Sequence, residues 1–304
     1  MKILLLGKDG QVGWKLQRSL SPLGELVSFG RQEADLKDAD SLRRCIRHHR
    51  PGFIVNAAAY TAVDKAESEP EEARLINTDA VHVLAKEAAQ LGAWLVHYST
   101  DYVFDGANSA AYIETDPAAP LSVYGQTKLE GENAVRSSGC KHLILRTSWV
   151  YSLHGANFPL AILRRALEQE RIDVVDDSFG APTSADLIAD VTALILYRVA
   201  TDHVLAKRAI GTYHLVASGE TSWYEYAKFL IGLAMKKGLP VKVVPNRIFP
   251  VSVDSYKTAA RRPKNCRLNN DKISEQFGLT LPNWEDHVAR FVDELIKPKQ
   301  ININ

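Results

Sequence analysis

The chain has 304 residues, and its 37 Lys plus Arg against 36 Asp plus Glu leave a formal charge of +1. With 46% hydrophobic residues it is no disordered polymer, and its balanced charge argues against a basic nucleic-acid binder. Cys45, Cys140 and Cys266 are far apart, without a C-x-x-C pair, which excludes a disulfide scaffold and a zinc ribbon.

No apolar run approaches the ~20 residues that cross a bilayer, so no membrane contact is expected. The run Ile3–Leu6 after Met1-Lys2 is too short for the roughly seven-residue core of a secretory signal. It is read as a buried strand, and the protein as cytoplasmic. Further strands are expected at Leu26–Phe29, Phe53–Asn56, Trp94–Ser99 and Leu143–Thr147. Most lack strict alternation, as strands buried on both faces do. Helix-length segments lie between them, at Val12–Leu20, Ser41–His49, Glu71–Gln90 and Tyr124–Ser137. That order predicts an α/β fold, a parallel sheet with helices on both faces. Beyond residue 150 helices are expected at Asn157–Gln169, Ser184–Tyr197, Ser222–Lys237 and Trp284–Ile296. Thr183-x-x-Asp186 reads as a capping box. Short strands are expected at Ile172–Val175, Tyr213–Val216 and Val241–Val244, and the tail Ile301–Asn304 is expected to fray.

Gly7, Gly10 and Gly13 follow the first strand and open the first helix. Glycines there let backbone approach a diphosphate, which the free N–H groups of a helix start attract. The spacing is G-x-x-G-x-x-G, and a plain tight turn would also use it. The second strand ends in Gly30-Arg31 with no acid before Glu33. An acid at that place usually takes the ribose hydroxyls of NAD, whereas Arg binds the 2′-phosphate of NADP. NADPH is therefore expected, with NADH as the alternative.

The fourth strand runs into Ser99-Thr100-Asp101, at the end where open α/β sheets bind ligands. Tyr124-x-x-x-Lys128 follows, and an i, i+4 pair shares one helix face. A free Tyr titrates near ~10. A nearby Lys and a cationic nicotinamide lower that value, which suits proton exchange with an alkoxide. The glycine loop, the Ser-Thr and the Tyr/Lys pair are together far more specific than any one of them.

In this order these motifs resemble the extended short-chain dehydrogenase/reductases. Within that family, the resemblance is to the branch that reduces the C4 ketone of dTDP-linked 4-keto-6-deoxysugars. It is carried by GKDGQVGW at 7–14, VNAAAYTAVDKAE at 55–67, HYSTDYVFDG at 97–106, VYGQTKLEGE at 123–132 and LRTSWVY at 145–151. FGAPTSADLIAD at 179–190, GTYHLVASGETSW at 211–223 and RRPKNCRLN at 261–269 extend it over nearly the whole chain. It implies a Rossmann-type doubly wound parallel sheet over 1–150. A smaller C-terminal α/β domain over 151–304 would bind the sugar nucleotide, with some segments returning to the sheet.

Mapped onto this sequence, the resemblance makes Thr100, Tyr124 and Lys128 catalytic. Tyr124 would protonate the alkoxide, Thr100 would polarise the carbonyl, and Lys128 would hold the nicotinamide ribose. Gly7, Gly10, Gln11, Val12 and Gly13 would form the diphosphate loop. Gly30, Arg31, Asp35 and Leu36 would flank the adenosine. Ala59, Tyr60 and Thr61 would line the cleft, with Tyr98 close by. Asp101, Trp149 and Arg262 would contact the sugar nucleotide, with Arg267 a second candidate for its diphosphate. Asp64 and Glu67 would make helix-start contacts.

Dehydratases of this family carry a third acid-base residue where Tyr102 follows Thr100-Asp101 here, which favours simple reduction. Some relatives form Mg²⁺-bridged dimers through an acid on the first helix. Lys15 stands in that place, so no metal is expected, and a homodimer of another kind is left open. Two alternatives share these motifs: a reductase of another 4-keto deoxysugar, and a non-catalytic NADP-binding regulator of methionine adenosyltransferase.

Overall fold

A computed structural model describes residues 1–296; the predicted frayed tail Ile301–Asn304 lies outside the described residues. In chain order the first half contains β1 (Lys2–Leu6), α1 (Gln11–Leu20), β2 (Glu25–Phe29), α2 (Ala39–His49), β3 (Phe53–Asn56), α3 (Val63–Ala66), α4 (Pro70–Arg74), α5 (Ala80–Leu91), β4 (Trp94–Thr100), α6 (Val123–Ser137) and β5 (Lys141–Thr147). The second half adds β6 (Val150–Tyr151), α7 (Phe158–Glu168), β7 (Ile172–Val175), β8 (Phe179–Gly180), β9 (Thr183–Ser184), α8 (Ala185–Thr201), α9 (His203–Arg208), β10 (Gly211–His214), β11 (Thr221–Ser222), α10 (Trp223–Lys236), β12 (Ile248–Val251), α11 (Asp271–Phe277) and α12 (Trp284–Ile296).

The central sheet has the order β10-β5-β4-β3-β1-β2, and every pair in it is parallel. Its unbroken apolar strands follow from burial on both faces. Ile3 and Leu5 enter one core with Leu16, Leu20, Val55, Val96 and Leu143. Leu4 and Leu6 enter the other with Leu42, Ile46, Ile54, Leu84 and Val135. The first core runs on into α8, α10 and α12 through Ile188, Tyr226 and Val288. Strand order reverses between β1 and β3, and ligands of such sheets bind in the crevice that opens there. β10 is the segment of the second half that returns to the sheet. Among the described residues no helix is long and apolar enough to cross a membrane.

Three expectations are corrected. No strand forms at Val241–Val244; the backbone N–H groups of Lys242 and Val243 donate to the Ala166 carbonyl at the end of α7. The partner of β7 is β12, over Ile248–Val251. The cap of α8 is Ser184 rather than Thr183: Ser184 Oγ accepts the Leu187 N–H, while Thr183 Oγ1 donates to the Ala181 carbonyl. Asp186 pairs instead with Lys15 at 3.1 Å. Finally, the expected helix Glu71–Gln90 is interrupted by a π-turn over Leu75–Asp79. That turn lets Asn77 bond the Tyr60 backbone through both its oxygen and its nitrogen.

Candidate active site

The glycine loop forms because α1 must start against the end of β1. A Cβ on Gly13 would lie 1.9 Å from the Gly7 carbonyl oxygen, so only glycine permits this approach. Gly13 therefore packs the helix onto the loop and does not line the cleft, which corrects its expected place. The N-cap of α1 is Gly10, without a side-chain cap or an acid in the first turn. Its free N–H groups leave a helix start open to an anion.

A cleft of about 930 Å³ runs from this loop to the ends of β4 and β5. Gly7, Gly10, Gln11 and Val12 line it, with Gly30, Arg31, Asp35 and Leu36 at one end and Ala59 and Thr61 along the wall. Tyr98, Thr100, Asp101, Tyr124, Lys128, Trp149 and Arg262 line its other end. Tyr60 is not part of it: the Tyr60 hydroxyl donates to Glu69 Oε2 at 2.8 Å, and Asn77 fixes its backbone. Arg267 also lies elsewhere. Its guanidinium bonds the Ser109 carbonyl at 2.5 Å and Asn265 Oδ1 at 2.8 Å, and pairs with Glu220.

Thr100, Tyr124 and Lys128 line one end of the cleft because α6 presses on the turn after β4. A Cβ on Gly125 would lie 2.2 Å from the Tyr102 carbonyl oxygen, so glycine admits this contact. The helix start is fixed by Ser122, which caps Gly125, and by Glu67, whose Oε1 accepts the Val123 N–H at 2.8 Å. Glu67 thus makes a helix-start contact, whereas Asp64 reaches the C-terminal loop. It accepts from the Ala260 N–H and from Arg262 Nη2 at 2.6 Å. Burial pushes the Tyr124 phenol up to about 12, with the neighbouring Thr100 hydroxyl working against that rise. The phenol is therefore protonated at neutral pH.

Lys128 is 2% exposed. Its ammonium donates to the Tyr98 carbonyl at 2.6 Å and meets His97 Nε2 at 3.4 Å. Burial pushes it down to about 8, against the attraction of Glu132. Glu132, one turn further on, is fully buried and receives both Nε and Nη2 of Arg146, at 2.8 and 2.7 Å. Sequence reasoning missed this pair, although Glu132 continues the i, i+4 spacing of Tyr124 and Lys128. Asp101 is buried as well. Burial pushes its carboxyl up to about 6, opposed by the nearby Cys266 thiol and Thr100 hydroxyl; Thr100 Oγ1 donates to it at 3.1 Å.

Trp149 has φ +48°, a left-handed backbone rare for a bulky residue and common at ligand sites. Its ring stacks on Trp223 with centroids 3.5 Å apart. Tyr102, Trp149, Phe158, Trp223 and Arg262 also wall an adjoining cavity of about 340 Å³. Trp223 and Phe158 escaped the sequence reading, which held only their helical periodicity. Thr147 Oγ1 and Ser148 Oγ are buried without a partner among the described residues, and both residues face the large cleft. An uncapped helix start, orphaned hydroxyls and a buried cation fit an extended, phosphorylated, hydroxyl-rich ligand such as a dinucleotide. Among the described residues no cluster of His, Cys, Asp and Glu could hold a metal.

The family model of the RmlD substrate binding domain matches residues 1–297. The chain belongs to that family. It is 50% identical to dTDP-4-dehydrorhamnose reductase of Escherichia coli K12, over 97% of this chain and 98% of that one. It is 44% identical to the enzyme of the same name from Burkholderia thailandensis, over 97% and 99%. A crystal structure of dTDP-4-dehydrorhamnose reductase from Bacillus anthracis in complex with NADP superposes with a TM-score of 0.87. There the identity is 33% and the coverage 97% of this chain and 100% of that one. A dTDP-glucose 4,6-dehydratase from Streptomyces venezuelae, at 19% identity and TM-score 0.76 over 96% of each chain, shares the fold.

Proposed function

We propose that this chain is an NADPH-dependent dTDP-4-dehydrorhamnose reductase. It reduces the C4 ketone of dTDP-4-dehydro-6-deoxy-L-mannose to dTDP-L-rhamnose, the last step of dTDP-rhamnose synthesis. The observation that carries the reading is the convergence of Thr100, Tyr124 and Lys128 on one cleft with an open glycine loop. The names of the similar reductases, and the NADP held by one of them, support it.

When bound, NADPH supplies the hydride. Gly7, Gly10, Gln11 and Val12 hold its diphosphate, and Gly30, Arg31, Asp35 and Leu36 its adenosine. Ala59, Thr61 and Tyr98 wall the nicotinamide side. The Thr100 hydroxyl polarises the ketone oxygen. The Tyr124 phenol keeps its proton at neutral pH and gives it to that oxygen as charge develops. Lys128 offsets the phenolate left behind and bonds the ribose hydroxyls. Asp101, Trp149 and Arg262 place the sugar nucleotide. Residues 1–150 would serve mainly the cofactor while lending Thr100, Asp101 and Trp149 to the sugar side, and the described residues from 151 onward would serve mainly the sugar nucleotide, apart from β10. Three unpaired cysteines agree with a reducing, cytoplasmic setting.

Tyr124→Phe tests the assignment. General-acid loss should lower kcat by about a hundredfold or more, with NADPH binding retained. A wild-type rate in this variant would refute the role given to Tyr124.

A further inference from the structure

The adenosine end of the cleft lacks an acid at the tip of β2, yet a carboxylate stands there. It comes from Asp9 in the glycine loop. A Cβ on Gly30 would lie 1.9 Å from Asp9 Oδ2, so the carboxylate rests on the bare glycine. The Asp9 backbone is held from the other side, where its carbonyl accepts from His154 Nε2 at 2.8 Å. That imidazole stacks on Trp14, with centroids 4.9 Å apart.

Of the neighbouring charges, Lys8 and Glu33 engage each other and Arg31 is largely free. Glu33 accepts the Gly30 N–H at 2.9 Å and pairs with Lys8. Arg31 is 70% exposed and meets Asp35 only at 3.8 Å. Among the described residues the Asp9 carboxylate forms no salt bridge, although its charge acts on the adjacent Lys8 ammonium, which pairs with Glu33. Asp9, Gly30, Arg31 and Asp35 all line the cleft.

We propose that Asp9 is a specificity-determining residue that limits the preference of this site for NADPH over NADH. The inference rests on reading the cleft as the NADPH site. A 2′-phosphate brings about two negative charges; Arg31 attracts them and Asp9 repels them. A free 2′-hydroxyl is a donor, which the Asp9 carboxylate accepts. One side chain thus favours NADH and disfavours NADPH, and it works from the first loop instead of the second strand.

The test is calorimetric binding of NADPH, NADH, 2′-phospho-AMP and AMP to the full chain and to Asp9→Asn, which keeps shape and removes charge. The ratio of the NADH Kd to the NADPH Kd should rise about five- to tenfold in Asp9→Asn, the scale of one partly screened charge. The AMP pair should show the same trend, and the shift should shrink at high salt. A ratio within twofold of wild type, or one that moves toward NADH, would overturn the proposal. A wild-type chain that binds neither dinucleotide would overturn the cofactor reading beneath it, so the two failures are distinct.

Discussion

Lys128→Met should stabilise the fold at neutral pH, and the gain should vanish in alkali. Burial holds the ammonium near 8 in the folded chain, against an ordinary value of 10.5. Each displaced decade is about 1.4 kcal/mol, so the buried charge costs about 3 kcal/mol below pH 8. Methionine fills a similar volume without charge, but leaves the Tyr98 carbonyl short of the 2.6 Å bond it now accepts, a loss of about 1 kcal/mol. The net gain near pH 7 is about 2 kcal/mol. The sign of the pH dependence follows from proton counting. Between about 8 and 10.5 the unfolded chain binds more protons at this site than the folded one, so wild-type stability rises with pH through that window. The variant lacks that rise. Urea midpoints of both proteins at several pH values from neutral to alkaline measure the difference, and other titrating groups cancel in the comparison. A difference that stays constant with pH would refute the claim that the ammonium is buried and destabilising.

Gly13→Ala places a Cβ 1.9 Å from the Gly7 carbonyl oxygen; it should weaken NADPH binding by about tenfold or more and cost about 1–3 kcal/mol of stability, read by calorimetry and by denaturant. Glu132→Ala strands the buried Arg146 cation, which now rests on two bonds of 2.8 and 2.7 Å. It should cost about 3–5 kcal/mol, measured by the urea midpoint. Reductive kcat/KM should decline as pH rises through about 8, where Lys128 loses its proton; a profile level to about pH 10 would contradict its assigned role.

The doubly wound half was legible because burial on both faces writes unbroken apolar runs, as in Ile3–Leu6 and in Phe53, Ile54 and Val55. β12 was hidden for the converse reason. Pro250 sits inside it, and proline in a run argues against a strand unless the strand lies at an edge. The runs β6, β8, β9 and β11 are two residues each, too short for any periodicity. Glycine spacing and the Tyr/Lys pair located the cleft. Side-chain direction was not legible: nothing in VNAAAYTAV turns Tyr60 toward Glu69 and leaves Thr61 in the cleft. Arg262 and Arg267 differ likewise only through their partners, Asp64 and Glu220, which are distant in sequence. The Trp149–Trp223 stack joins two segments that only the tertiary fold brings together.

The most direct test follows NADPH oxidation by absorbance, with dTDP-4-dehydro-6-deoxy-L-mannose generated in place from dTDP-glucose by a 4,6-dehydratase and an epimerase. A parallel reaction omits the epimerase. Oxidation that requires the epimerase and yields dTDP-L-rhamnose is the predicted result. Oxidation without it would assign a different 4-keto sugar, and no oxidation in either reaction would contradict the reductase.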